Sequence, residues 1–459
     1  MKKSLLAIAA MTAFAGAAQA QSSVTVYGIL DVGFVGSSYN GTSGTANSAS
    51  ISNGAVTGSA TSKQSTAGFG QSAESTSRIG FKGTEDLGGG TQALFTVEVS
   101  LSPDSNGAAA SGAYASATNS SLVSQPAVFG QVNRQTFVGL HKNGLGQASI
   151  GTQYTPMFNV QSATDAAGNN NLVGNAVYSG GLQSGTGTFN PGLSAYGASN
   201  AYFDAAYSAY VTRVSNALFV QSDRIAGFQA GAMYAQYNTN NTATAAAFNG
   251  GANGAGGSNN NTMYGLSADY VWKNLKVVAA FQNIRSYDPA AQYFDSTAAS
   301  LTAASPIPAS KGTVAGGTAD SFGLNTSDNT TYAAATYDFG IVKAYGQYVT
   351  RRAISVIDGT YSAARTAYQL GARSQLTPTI SVYATMGLGK ATPYGQGNLG
   401  NNNFRTAQLG TDYNLSKRTN LYLAYGSYNQ SSAGGTDTSK SYNVGLSGMN
   451  YAAGIRHTF

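Results

Sequence analysis

Cysteine is absent from this chain, tryptophan occurs once and histidine only twice in 459 residues. The lack of cysteine excludes a disulfide framework, thiol nucleophiles and thiolate metal sites. His141 falls in a predicted turn and His457 at the end of the last predicted strand, so neither is placed beside the Asp or Ser that acid–base or nucleophilic catalysis needs. No His and carboxylate cluster has metal-ligand spacing, and no cofactor is expected. Charge is scarce as well: Asp, Glu, Lys and Arg make up 9% of the chain, against about 25% in ordinary soluble domains. Past the first residues no apolar run approaches the ~18 residues of a spanning helix.

The first twenty residues read as an export leader. Lys2 and Lys3 form a charged start, Leu5 to Phe14 an apolar core, and Ala18-Gln19-Ala20 a small-residue cleavage site. The mature chain is expected to begin at Gln21, and residues 21–459 to form one domain. Without Lys2 and Lys3, 22 of the 24 basic residues remain against 18 acidic ones, a net charge of +4. So mild a balance calls for no nucleic-acid partner.

What the chain has in abundance is glycine, with 58, tyrosine, with 29, and a rhythm. Stretches of roughly ten residues alternate apolar and polar positions, the signature of strands with one apolar and one polar face. Val24, Val26, Leu30, Val32 and Phe34 share one face of the first, with Thr25, Tyr27 and Asp31 opposite. Ala93, Phe95, Val97, Val99 and Leu101 oppose Gln92, Thr96 and Glu98; Ile380, Val382, Ala384, Met386 and Leu388 form another apolar row. Tight turns near 86–90, 142–146, 223–227, 272–275, 338–341, 375–379 and 413–418 alternate with long loops rich in Gly, Ser and Asn. The pattern predicts an all-β, transmembrane barrel of sixteen antiparallel strands with both ends on one side. Strands of about 9–11 residues tilted by about 45° cross a bilayer, and a barrel of this size encloses water. Tyr234, Tyr237, Tyr348 and Tyr428 read as one aromatic girdle, and Trp272, Tyr337, Phe339 and Tyr413 as the other.

Four stretches are more specific: Ser23-Val24-Thr25-Val26-Tyr27-Gly28-Ile29-Leu30-Asp31, the block from Ser77-Arg78-Ile79-Gly80-Phe81-Lys82 to Gly88-Gly89-Gly90, Gly151-Thr152-Gln153-Tyr154-Thr155-Pro156, and the terminal Gly454-Ile455-Arg456-His457-Thr458-Phe459. Together these resemble the Gram-negative general porins, along the whole mature chain. The resemblance implies a homotrimer in the cell outer membrane, surrounded by outer-membrane lipid and lipopolysaccharide. It implies passive diffusion of small hydrophilic solutes and inorganic ions, and a third long loop, here Tyr154 to about Tyr210, folded into the lumen. Phe459 with Ile455 and Tyr451 resembles the signal read by the barrel-assembly machinery. Arg78 and Arg134 match wall arginines of the family, whereas Thr152 stands where many relatives carry Arg.

Strand charges belong to the lumen, since a cation on the lipid face costs about 2–4 kcal/mol at the midplane. Arg78, Lys82, Arg134, Glu98 and Arg213 are therefore candidate pore-lining or constriction residues, and the inserted loop that the resemblance implies adds Asp165. Arg213 follows the long loop, and Asp165 and Asp204 are its chief acids. Lumenal cations outnumber lumenal anions by this reading, and a weak anion preference is expected. Three alternatives stay open from the residues: a surface adhesin with a closed pore, a substrate-specific channel and an outer-membrane enzyme. Gly387-Leu388-Gly389-Lys390-Ala391-Thr392 lacks the glycine spacing and the following helix of a phosphate loop.

Overall fold

The alternating stretches pair in sequence order and the last pairs with the first. The computed structural model describes residues 23–43, 50–52, 55–57, 60–101, 103, 129–178, 188–189, 210–241, 257–287, 322–355, 362–395, 402–431 and 446–459; the leader, Asp204 and the middle of the third long loop lie outside them. The strands are β1 (Ser23–Ser43), β2 in two segments (Ala60–Gln71 and Arg78–Gly88), β3 (Thr91–Leu101), β4 (Phe129–Lys142), β5 (Gly146–Tyr154), β6 (Arg213–Ser222), β7 (Phe228–Asn241) and β8 (Gly257–Trp272). They continue with β9 (Leu275–Tyr287), β10 (Phe322–Asp338), β11 (Lys343–Ser355), β12 (Ser362–Gln375), β13 (Ile380–Gly395), β14 (Asn402–Asn414), β15 (Thr419–Gln430) and β16 (Leu446–Thr458). β16 pairs antiparallel with β1 from Ile29↔Thr458 to Gly41↔Leu446, which closes a sixteen-stranded barrel without a free edge. Gly28 and Phe459 exchange two backbone hydrogen bonds of 3.0 and 3.1 Å, so the final residue is fastened to the first strand.

The outer face is apolar. Leu370 and Met386 are 70% and 72% exposed in the isolated chain, and Leu266, Ile150, Leu388 and Leu409 stand out beside them. A belt of large aliphatic side chains of this kind is stable against hydrocarbon, not against water. Trp272, Tyr337, Phe339 and Tyr413 ring its short-turn end as expected. At the long-loop end the outer aromatics include Tyr234, Tyr348 and Tyr368. Tyr428 is a correction: it is fully buried inside the barrel, against Phe404 at 5.9 Å between rings. Tyr237 also falls on the inner face, between the outward positions Gln236 and Asn238.

The seven tight turns lie where the sequence places them. One of them carries a polar clamp: Asp223 accepts from the Gly144 N–H at 2.7 Å and lies 3.0 Å from His141 Nε2. These two contacts hold its carboxyl below the ordinary Asp range. A depressed carboxyl favours the folded turn above the usual Asp pKa, and the contribution fades as pH falls through the lowered value. Asp223→Asn is expected to raise amide exchange at Gly144 near neutral pH and to leave it unchanged well below the Asp range.

Two irregularities shape the wall. The first is the break in β2, where the apolar rhythm alone predicts an unbroken strand from Ser75. β1 pairs with both segments, Val32↔Gln71 above and Ile29↔Arg78 below, while residues 72–77 leave the ladder. Asp31 holds the excursion: its carboxylate accepts from the N–H groups of Glu74 (2.8 Å) and Ser75 (2.6 Å), and its own N–H donates to Ser77 Oγ (3.0 Å). The second is a β-bulge between β3 and β4. Glu98 pairs with Gln135 and Val99 with Asn133, leaving Arg134 as the extra residue. Thr136, Val138 and Leu140 face outward, so strict alternation sends Arg134 outward too; the bulge re-aims it into the barrel.

The third long loop enters the lumen. Thr155 caps a short helix, α1 (Pro156–Ser162), accepting from the Phe158 N–H at 3.1 Å, with Pro156 in the first turn. Met157 and Val160 of α1 bury themselves with Val173, Ala176 and Val177 against Val278, Ala280, Tyr332, Ala334 and Val349, on the inner face of β9 to β11.

Candidate functional site

Arg78, Glu98 and Arg134 meet on the inner wall of β2 to β4, and Arg213 closes the group from β6. Arg134 Nε donates to Glu98 Oε1 at 2.7 Å and its Nη2 to Tyr154 Oη at 2.7 Å. Arg78 Nη1 lies 3.9 Å from Glu98 Oε1, and Tyr27 Oη donates to Glu98 Oε2 at 3.1 Å. The Arg213 guanidinium stands 5.7 Å from the Tyr154 ring centroid, inside cation–π range. Gly80 makes room for the Tyr27 ring, which fills the space where a Cβ would stand. Arg78 and Arg134 thus share one carboxylate and Arg213 adds a third guanidinium beside them, a local charge of +2.

Arg213 is the least satisfied of the three. It is 4% exposed, and its Nε and Nη1 have no hydrogen-bond partner among the described residues. A buried donor without a partner is costly unless water or a ligand reaches it. From this group an aromatic row runs along the loop: Tyr154 stacks on Phe158 (4.3 Å), which meets Tyr178 (6.0 Å), which meets Tyr210 (6.2 Å).

Lys82 and Asp165 lie apart from the cluster. Lys82 is exposed on the same strand, two ladder positions beyond Gly80, with its ammonium 5.4 Å from the Tyr27 ring. Asp165 is buried where the loop reaches the far wall, accepting from the Asn169 N–H (2.7 Å) and from Gln369 Nε2 (3.1 Å). There it joins loop to barrel.

That docking is extensive, and the sequence reading did not anticipate its residues. Gln347 donates to Thr164 O (2.7 Å), Arg373 to Ala166 O (3.2 Å), Arg365 to Ala176 O (2.7 Å), and Gln408 to Leu172 O (2.9 Å) and Val173 O (3.0 Å). In return the Val173 N–H donates to Asn450 Oδ1 (3.0 Å) and the Ala176 N–H to Gln369 Oε1 (2.7 Å). Glycines on the wall cut a trench for the loop backbone. A Cβ on Gly426 would land on Val173 O, one on Gly387 on the Ala176 methyl, and one on Gly371 2.8 Å from the Ala166 methyl. The loop answers with Gly174, at φ +108°, pressed against Ala407 O. The loop tip also reaches the β2 break, where the Asn171 side chain donates to Ser72 O (2.6 Å) and its N–H to Ala73 O (3.0 Å). An inward glutamine every few strands is a faint sequence signal for such a dock, because a lumen wall facing only water has no need of long amides.

Several other lumenal cations have an acidic partner: Arg373 has Asp412, Arg456 has Glu74 at 3.0 Å and Arg351 has Asp328 at 2.6 Å, while Arg224 (2.5 Å) and Lys276 (3.5 Å) share Asp269. Beside Tyr154 the imbalance is larger, three arginines to one carboxylate. Among the described residues no group of three or more His, Cys, Asp or Glu is placed to hold a metal ion.

Comparison with known proteins agrees with this architecture. Residues 7–433 match the family model described as Gram-negative porin. An outer membrane porin protein of Bordetella pertussis is 34% identical over 155 residues, 33% of this chain and 34% of that protein. Outer membrane porin protein 32 of Delftia acidovorans is 41% identical over 108 residues, 24% of this chain and 25% of the relative. The chain thus aligns with about a third or less of these curated relatives. Among solved structures, an anion-selective porin from Comamonas acidovorans superposes with a TM-score of 0.57 at 21% identity, covering 96% of this chain and all of the other. The trimer form of OmpT from Vibrio cholerae gives 0.51 at 12% identity, with 95% and 99% covered. At those identities the likeness is one of fold. The match of the family model along nearly the whole chain identifies this protein as a member of the Gram-negative porin family, an outer-membrane β-barrel.

Proposed function

We propose that the protein is a general diffusion porin with a weak preference for anions, and that it passes small hydrophilic solutes and ions without an energy source. The observation that carries the preference is the unequal charge beside Tyr154: Arg78, Arg134 and Arg213 against Glu98, with two donors of Arg213 buried and unpartnered among the described residues. A passing anion meets a local excess of positive charge that it does not need to bind, and it keeps most of its water. Arg78, Arg134, Arg213, Glu98 and Lys82 act as the electrostatic wall. Asp165 acts as a loop anchor, a role that its burial against Gln369 supports. No residue is assigned a catalytic role.

The subunit is read as one third of a homotrimer embedded in outer-membrane lipid and lipopolysaccharide, as the trimeric relative in the comparisons suggests. Tyr451 and Ile455 on the outer face of β16, with the exposed Phe459 just past its end, suit recognition by the barrel-assembly machinery.

Conductance of the folded protein in a planar bilayer tests the reading. It is expected to scale with the conductivity of the bathing salt and to close in three equal steps. Conductance that saturates with one solute would favour the substrate-specific channel; none from correctly folded barrels would favour the adhesin. Glu98→Gln raises the local charge from +2 to +3 and is expected to increase the anion-to-cation permeability ratio two- to threefold. That ratio is read from reversal potentials.

A further inference from the structure

Among the described residues, the strand cations that break the rule that charges face the lumen include Arg285 on β9 and, further round the wall, a group of three. Arg352 on β11, Lys390 on β13 and Arg405 on β14 are exposed on the outer face, in step with the apolar residues beneath them. On β13 the outward series runs Ala384, Met386, Leu388, Lys390; on β14 it runs Leu409, Ala407, Arg405, Asn403. The ladder fixes their arrangement. Lys390 stands opposite Asn403, and Arg405 opposite Leu388, so Lys390 and Arg405 are diagonal neighbours, about 7–8 Å apart. Arg352 is opposite Ala364 on β12, one ladder step above Thr350, which is opposite Thr366, which in turn is opposite Lys390. From strand spacing and rise, Arg352 and Lys390 are roughly 12 Å apart.

The order along this sector reads as a depth gauge. Leu370 and Met386 lie in the apolar belt, and above them Tyr348 and Tyr368 pack at 4.9 Å; the ladder sets Arg405 level with that tyrosine pair, Lys390 level with the 3.3 Å hydroxyl contact of Thr350 and Thr366, and Arg352 two residues beyond Thr350. Aromatic residues mark the headgroup boundary, so the cations stand at headgroup level on the long-loop side. None of the three has a carboxylate within ion-pair distance among the described residues: Asp328, opposite Ala353 on the neighbouring strand, faces the lumen and is held by Arg351, and Asp412 faces the lumen beside Arg373.

We infer that Arg352, Lys390 and Arg405 form a docking surface for the phosphorylated headgroups of outer-leaflet glycolipid. Charge complementarity and position select this occupant. A lipid phosphate is the anion held at this depth by its own acyl chains, and Leu388, Met386 and Leu370 offer those chains an apolar track directly below. The Gly387–Thr392 stretch, which makes no phosphate loop, thereby supplies a lysine to a phosphate from a strand. The inference rests on the outer-membrane barrel reading above, with the long loops outward, and it concerns no residue of the pore.

The test is native mass spectrometry of the folded, detergent-solubilised protein with bisphosphorylated lipid A and with its dephosphorylated form. Wild type is expected to bind the phosphorylated lipid more tightly, and the triple variant Arg352→Gln, Lys390→Gln, Arg405→Gln to lose on the order of a hundredfold in that affinity, three surface cations' worth. Equal binding of the two lipids, or an unchanged affinity in the triple variant, overturns the inference. Displacement of the lipid by millimolar inorganic phosphate overturns it too, since the site would then serve free anions. Channel conductance of the same variant separates the two readings. Unaltered conductance with lost lipid binding supports both; absent conductance in wild type strikes the porin reading instead. A variant that fails to fold is replaced by the three single substitutions, each expected to lose about fivefold.

Discussion

Replacing Arg78, Arg134 and Arg213 together by glutamine reverses the ion preference of the pore. The substitution takes the local charge from +2 to −1 with the backbone unchanged. A unit charge about 7 Å from a passing ion contributes about 0.6 kcal/mol in water, and screening at 0.1 M salt removes roughly half. Three charges, acting with opposite sign on anions and cations, then change the anion-to-cation permeability ratio by about twentyfold. Reversal potentials across a salt gradient measure it. The paired substitution Arg456→Gln with Glu74→Gln serves as the control, because it removes a cation and its acid together, leaves the lumenal charge unchanged and is expected to change the ratio little. An equal effect of the two would place the selective charge elsewhere on the wall.

Filling the trench is expected to have the second large effect. In Gly426→Val and Gly387→Val the new side chains meet Val173 O and the Ala176 methyl. The first clash is with main chain, so no rotamer relieves it, and the loop must leave its seat. Departure breaks the hydrogen bonds that Gln408 and Arg365 donate to loop carbonyls and that Gln369 and Asn450 accept from loop N–H groups between Leu172 and Ala176, each worth about 1 kcal/mol net. The double variant should fold, because both strands keep their ladders. Its single-channel conductance is expected to rise about twofold and to fluctuate. The same substitution at Gly346, whose Cβ would meet only the end of Leu370, leaves the pore unchanged.

These two predictions rest on features of unequal legibility in the sequence. The barrel was readable because a lipid face and a water face impose period two, and the tight turns interrupt it at regular intervals. The outward residues of β1, β3, β8 and β13 stand where alternation places them. Alternation failed where the inner face buries protein and not water. Val278, Ala280, Tyr332, Ala334 and Val349 are inward and apolar because α1 and the following loop lie on them, so β9 to β11 are apolar on both faces at that patch.

The site was legible as composition and less so as geometry. Arg78 and Glu98 follow from strand parity. Arg134 does not: parity from Thr136 to Leu140 points it at lipid, and only the one-residue bulge opposite Glu98 turns it inward. Asp165 was recognisable as an acid of the inserted loop, but its partners Gln347 and Gln369 are about 180 to 200 residues away and are joined to it only by closure of the barrel. The glycine trench was invisible for a related reason. Gly371, Gly387 and Gly426 look like ordinary strand glycines until the loop backbone is laid across them.

The most direct test of the account is the reversal potential of the folded wild-type protein in a planar bilayer under a salt gradient. A potential of anionic sign, small at high salt and larger as screening falls, is the predicted result, since the three arginines beside Tyr154 outnumber Glu98. A cationic sign would contradict the account, because the charge that ions sense would then lie somewhere other than that cluster.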